Sequence, residues 1–109
     1  MDDLPILDRA RLDIITRGDR ALADDFLRAL IEEATGTIDR LSSALVAAEP
    51  AGVAELAHSL KGMATELGAQ RLRAAAAAFE AEMEPARWGG HLDRTVAALA
   101  ELRSLASGT

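Results

Sequence analysis

Residues 50 to 83 read PAGVAELAHSLKGMATELGAQRLRAAAAAFEAEM, and the spacing of apolar residues in this stretch decides the fold. From Pro50, a residue suited to a first helical turn, Val53, Leu56, Ala57, Leu60, Ala64 and Leu67 recur at three- and four-residue steps, which is the period of one helix face. Gly68 ends that pattern, and a second one follows from Ala69 to Met83, carried by Leu72, Ala76, Phe79 and Met83. Two helices joined by so short a turn must lie antiparallel, each with an apolar stripe that needs a partner.

Those partners lie on either side in the chain. Upstream, Asp19 to Ala48 carries Leu22, Phe26, Leu30, Thr37, Leu41, Leu45 and Ala48 in helical spacing, and is predicted to be one long helix with Gly36 as the place where it would bend. Downstream, a helix from about Gly90 to Ala106 presents Leu92, Val96, Leu99, Leu102 and Ala106. A shorter helix, about Leu7 to Arg17, starts at the N-cap candidate Asp8 and lies on the bundle through Leu12 and Ile15. The fold class predicted is all-α: an antiparallel up-down-up-down four-helix bundle with a short additional N-terminal helix, residues 1–109 forming a single domain. The tail from Ser104 to Thr109 is expected to fray.

Composition agrees and excludes several function classes. About two dozen alanines and only 3% aromatics favour closely packed helices over strands. With no cysteine, disulfide frameworks, zinc ribbons and thiol nucleophiles are excluded, and the chain fits a reducing cytoplasm. Against 18 acidic residues stand 12 basic ones that do not cluster, so the net charge of -6 would repel nucleic acid. No apolar run approaches the roughly 20 residues of a membrane span, and Met1-Asp2-Asp3-Leu4-Pro5 lacks the basic flank of a signal peptide.

His58 departs from this apolar logic. On the helical wheel it lies opposite the stripe of its own helix, facing water, with Ala54 and Gly62 one turn to either side and Ala51 and Thr65 beyond them. The surface around the imidazole is therefore nearly flat. Gly62 costs its helix roughly 0.8–1 kcal/mol relative to Ala, which makes sense if a side chain there would obstruct an approaching group, though packing against another helix would also call for a small residue. Lys61, three residues after His58, places a cation within reach of anything attached to the ring. An exposed nucleophilic nitrogen, no steric cover and a positive partner are what a phosphoryl group carried on imidazole requires. If the turn lies at Gly68-Ala69, Glu80 sits at the height of His58 on the neighbouring helix, where its carboxylate can accept a hydrogen bond from one ring nitrogen and leave the other free. Taken singly, an exposed histidine, a solvated lysine and a solvated glutamate are ordinary surface residues; their combination points to a site.

The run Ala57-His58-Ser59-Leu60-Lys61-Gly62-Met63-Ala64-Thr65-Glu66-Leu67-Gly68-Ala69 resembles the signature of histidine-containing phosphotransfer (HPt) domains, in which a phosphorylated His is followed by x-Leu-Lys-Gly and later by Leu-Gly-Ala. Looser similarity covers nearly the whole chain, including Gly18-Asp19 before the long helix, Phe26 within it, and Phe79-Glu80. The resemblance implies a bundle that takes a phosphoryl group from the aspartate of one response-regulator receiver domain and gives it to another. It implies His58 as phosphoacceptor, Lys61 as charge-neutralising partner, Gly62 as space-maker and Glu80 as hydrogen-bond acceptor. Ala54, Glu55, Gly62 and Thr65, on the same helix around the ring, are the expected docking surface. Partners would be receiver domains or a hybrid histidine kinase; the Mg²⁺ would come from the receiver, so the chain would need no cofactor of its own and have no kinase or hydrolase activity. Met63, where Ser or Ala is commoner, and Glu66 near the docking face depart from the family pattern and bear on partner preference.

Other readings are weaker. Glu55-Leu56-Ala57-His58 has the Glu-x-x-His spacing of di-metal bundles, but no second copy exists, and the other histidine, His91, reads as a surface residue after Gly89-Gly90. A phosphorylation-independent adaptor would not need both His58 and Lys61. A phosphoacceptor module of a chemotaxis-type histidine kinase would be cut from a longer chain, whereas the polar ends here read as a free-standing, monomeric, cytoplasmic protein. A sensor-kinase dimerisation domain would be a two-helix hairpin with a different sequence around its histidine. Trp88 is expected in the connection before the last helix, capping the end of the bundle.

Overall fold

Helix ends closed by local chemistry set the path of the chain. The computed structural model describes residues 4–108 and contains α1 (Arg9–Thr16), α2 (Arg20–Val46), α3 (Pro50–Leu67), α4 (Gln70–Ala81) and α5 (Trp88–Ser107), with one turn of 3₁₀ helix at Pro85–Arg87. Met1-Asp2-Asp3 and Thr109, to which the readings of the N-terminal flank and the end of the tail refer, lie outside the described residues. Asp8 caps α1 by accepting the Arg11 N–H, and Asp19 caps α2 by accepting that of Leu22, each at 3.1 Å. Pro50 occupies the first turn of α3, where its missing N–H costs nothing.

At the far end of α3, Gly68 takes the left-handed conformation, φ 76°. The Gly68 N–H bonds to the Thr65 carbonyl and the Ala69 N–H to that of Ala64, the paired pattern of a Schellman cap. Two more carbonyls of this end are satisfied from α1: Gly68 accepts the Asp8 N–H at 2.7 Å, and Glu66 accepts Arg11 Nε at 3.1 Å. The short first helix thus closes the α3–α4 turn.

Beyond that turn, α3 packs against α2 and α4, and α5 closes the ring by packing on both α2 and α4, so the four long helices form the antiparallel bundle. Ala34, Ala57, Ala64 and Ala76 have no exposed surface, interleaved with Leu41, Leu60, Leu72, Phe79 and Leu102. Methyl groups at these positions let neighbouring backbones approach closely, and the large side chains fill what remains.

The buried faces differ from the predicted stripes in three places. On α2, Leu27, Ala34, Ile38 and Ala44 are buried alongside Leu30, Thr37 and Leu41, whereas Leu22 and Ala48 are exposed and Phe26 and Leu45 half-buried. A helix that meets α3 on one side and α5 on the other buries an arc, and a single line of residues underestimates it. Second, α4 stops at Ala81, and Met83 is exposed rather than buried: Glu82 is extended, and Glu84 precedes Pro85, which disfavours helix at the residue before it. Third, α5 starts at Trp88 and runs to Ser107, so residues 104–107 are helical instead of frayed, Val96 is exposed, and Thr95 and Ala98 face inward. Trp88 is not in the connection but at the first position of α5, buried, with its indole N–H lacking a partner among the described residues.

The α3–α4 turn generates a direct test. A Cβ on Gly68 would come 3.1 Å from both Cβ and the carbonyl oxygen of Asp8 and 3.2 Å from Cβ of Arg11, on a backbone that side chains rarely adopt. Gly68→Ala should therefore lower stability by about 1–3 kcal/mol and loosen α1. Urea unfolding measures the loss, and an unchanged midpoint would reject this account of the turn.

Candidate functional site

The register of α3 turns His58 outward. Ala57 and Leu60 are fully buried, and with those positions committed to the core the His58 side chain is left 68% exposed. On α4, burial of Ala76 and Phe79 places Glu80 at the edge of the core facing α3. The two meet: Nδ1 of His58 is 2.6 Å from Oε2 of Glu80. The other carboxylate oxygen, Oε1, is 2.6 Å from Nζ of Lys61. One carboxylate therefore holds an imidazole and an ammonium with separate oxygens, joining two residues of α3 through one of α4.

This geometry selects a tautomer. The hydrogen bond from Lys61, foremost, and that from His58 hold the Glu80 carboxyl below its ordinary value, against the opposing effect of desolvation. An ionised carboxylate only accepts hydrogen bonds, so the proton in the contact belongs to His58 Nδ1, and the neutral form of the ring carries its lone pair on Nε2.

Around the ring, Ala54, Glu55, Gly62 and Thr65 are all exposed. A Cβ built on Gly62 meets no heavy atom within 4 Å, so the glycine does not serve packing within the bundle. Thr65 turns its hydroxyl back onto the Lys61 carbonyl at 2.7 Å, adding no protrusion. Glu55 does not join His58 in a metal-type cluster: among the described residues no group of three or more His, Cys, Asp or Glu side chains converges.

Lys61, which its spacing places beside the ring, is also paired with Glu80. One feature was not legible in the sequence. His91 is buried rather than at the surface. Its Nε2 is 2.8 Å from Oε1 of Glu82, its Nδ1 lies 3.2 Å from a guanidinium nitrogen of Arg94, and its ring stacks on Phe79 with centroids 5.7 Å apart. The inner face of α5 runs through His91, Thr95, Ala98 and Leu102, about one residue round from the predicted line through Leu92 and Val96, and this brings His91 inside.

The profile of the Hpt domain family matches residues 25–107. The chain belongs to the Hpt domain family. It is a histidine phosphotransfer protein of phosphorelay signalling. Its fold is that of the crystal structure of histidine-containing phosphotransfer protein B (HptB) from Pseudomonas aeruginosa PAO1, with a TM-score of 0.84 over 95% of this chain and 93% of that one at 20% sequence identity. None of the curated proteins matches it in sequence. The family match begins inside α2, so the α1 clamp on the α3–α4 turn lies outside it.

The shared carboxylate carries a pH signature. Because the Glu80 pKa is lowered in the folded Hpt protein, the ion pair contributes fully above the ordinary carboxylate value of 4.5 and is lost as pH falls through the lower folded value. Urea midpoints of wild type and Glu80→Gln should accordingly differ at neutral pH and converge in acid. A gap that stays constant from neutral pH to about pH 3 would contradict this role for the Glu80 charge.

Proposed function

We propose that His58 is the phosphoacceptor, receiving the phosphoryl group from a receiver-domain aspartate and passing it to the aspartate of another. The observation that carries this reading is the two-handed grip of Glu80, which engages Nδ1 and turns Nε2 of an exposed imidazole outward on a flat face. In the step, Nε2 attacks phosphorus, the N–P bond forms as the aspartyl O–P bond breaks, and the aspartate carboxylate leaves. No proton has to move. The ring, still carrying its Nδ1 proton, becomes cationic, and the Glu80 carboxylate offsets that charge. Lys61 exchanges Glu80 Oε1 for the arriving phosphoryl oxygens, where it stabilises negative charge in transit.

Ala54, Glu55, Gly62 and Thr65 form the surface on which the receiver docks. The receiver brings Mg²⁺ and its own acidic pocket; the Hpt protein contributes no cofactor and acts as a carrier with neither kinase nor hydrolase activity. Its partners are receiver domains, alone or within a hybrid histidine kinase, and it works as a cytoplasmic monomer. Supporting this placement, no helix among the described residues is long and apolar enough to cross a membrane, and the chain has no cysteine.

Incubation with a phosphorylated receiver domain should leave an acid-labile, base-stable label on the chain. His58→Gln should abolish it while the helical spectrum and melting temperature stay nearly unchanged, because the side chain is mostly solvent-exposed. Undiminished labelling of that variant would move the site elsewhere. Gly62 separates docking from folding. Gly62→Ala adds a methyl in open space and should stabilise by up to roughly 1 kcal/mol while still transferring. Gly62→Gln should fold normally and fail to transfer. Thermal melts and labelling of the same two variants decide the point: a sharply destabilised Gln variant would overturn the docking role of this face.

A further inference from the structure

The connection between α4 and α5 carries a large apolar side chain that the bundle does not use. Met83 is 86% exposed, and its neighbours fix it there. Glu82, in extended backbone, turns inward: Oε1 is 2.8 Å from Nε2 of His91, and Oε2 accepts the Glu84 N–H at 3.2 Å. The Arg94 guanidinium donates to His91 Nδ1, so the imidazole proton sits on Nε2, directed at Glu82. On the other side Glu84 is tied by its carbonyl to the Arg87 N–H at 2.9 Å, at the start of the 3₁₀ turn. In extended chain successive side chains alternate in direction, so inward anchoring of Glu82 sends Met83 outward. The connection is a braced mount, so the backbone that presents this side chain needs little further ordering on binding.

The mount stands beside the phosphotransfer site. Met83 follows Glu80 by three residues, a span of at most about 10 Å between Cα atoms, and Glu80 touches His58. A protein partner covering about 800 Å² of each surface has a footprint some 16 Å in radius, so one centred on His58 and Glu80 reaches Met83. We propose that Met83 is an apolar contact for the docked receiver domain, setting affinity and taking no part in the chemistry. This rests on the reading of His58 as phosphoacceptor, and continuity with that site is what names the receiver as occupant. The residue type fits: an unbranched, polarisable side chain adapts to differently shaped surfaces, and a relay intermediate must seat two receivers in turn on one face.

The test uses the full chain and the receiver domain, among those of its own organism, that exchanges phosphoryl groups with it fastest. The variants are Met83→Ser, Met83→Leu and, as control, Ile14→Ser, which alters a 72% exposed apolar residue of α1, the helix docked at the opposite end of α4. Phosphoramidate, a small donor that needs no docking surface, labels His58 with loss of ammonia and reports on the chemistry alone. Met83→Ser should raise KM for the phosphorylated receiver about tenfold with kcat nearly unchanged. Met83→Leu should return KM to within about twofold of wild type, Ile14→Ser should match wild type, and phosphoramidate labelling should be equal in all four proteins. A wild-type KM in Met83→Ser, or an equal loss of phosphoramidate labelling, overturns the proposal while leaving His58 as acceptor. Labelling of His58 by phosphoramidate but by no receiver removes the partner and this contact with it; no labelling of His58 by any donor overturns the phosphoacceptor reading itself.

Discussion

The carboxylate of Glu80 is the constraint on which the rest depends. With one oxygen on His58 and the other on Lys61, it converts three ordinary surface residues into a single unit with a defined tautomer. Both contacts require α3 and α4 to stand in register to within a fraction of a helical turn, since a shift of one residue would carry Glu80 about 1.5 Å along and 100° around its helix. That register comes from the Schellman turn at Gly68 and from the burial of Ala57, Leu60 and Ala64 opposite Leu72, Ala76 and Phe79. The helices outside this hairpin serve it: α2 and α5 cover its apolar faces, and α1 satisfies the carbonyls at its turn.

Little of this is for stability. His58 and Lys61 are partly solvated, and exposed ion pairs of this kind contribute little to stability. Stability comes from the alanine and leucine layers, where small residues bring helix backbones together. The division is useful physically: a carrier whose reactive group bears no structural weight can change its charge and bonding without disturbing the bundle beneath.

How far the sequence reveals this depends on the kind of information required. The helix count, the turn at Gly68, and the placing of His58 and Glu80 at one height follow from periodicity, because both helices are short, regular and joined by a two-residue link. What periodicity misses involves choices between faces or between partners. The α2 stripe is misjudged because that helix packs against two neighbours and buries an arc. The end of α4 and the start of α5 are misplaced because Met83 and the Gly89-Gly90 pair suggest continuation and interruption where the structure has the reverse. His91 illustrates the point: an imidazole after two glycines reads as surface, yet Phe79 and Glu82, at the end of α4 and just beyond it, meet the ring once the bundle closes, and Arg94 joins them from one turn along α5.

With His58 as the phosphoacceptor, the Lys61–Glu80 contact also bears on how reversibly the group is held. Before transfer the cluster is balanced, with the Lys61 cation matched by the Glu80 anion and a neutral ring. Transfer adds a cationic ring bearing a doubly negative phosphoryl group, and the single ammonium cannot fully serve both Glu80 and the phosphoryl oxygens. Whatever Lys61 gains on the phosphoryl group is offset in part by the contact it gives up, while the ring's new positive charge strengthens the hold of Glu80 on Nδ1. The exchange lowers the barrier more than it deepens the well, because the ammonium is most needed when negative charge is spread over the metaphosphate-like group between nitrogen and oxygen. A deeper well would trap the phosphoryl group on the carrier; a carrier poised in this way can both take it and give it up.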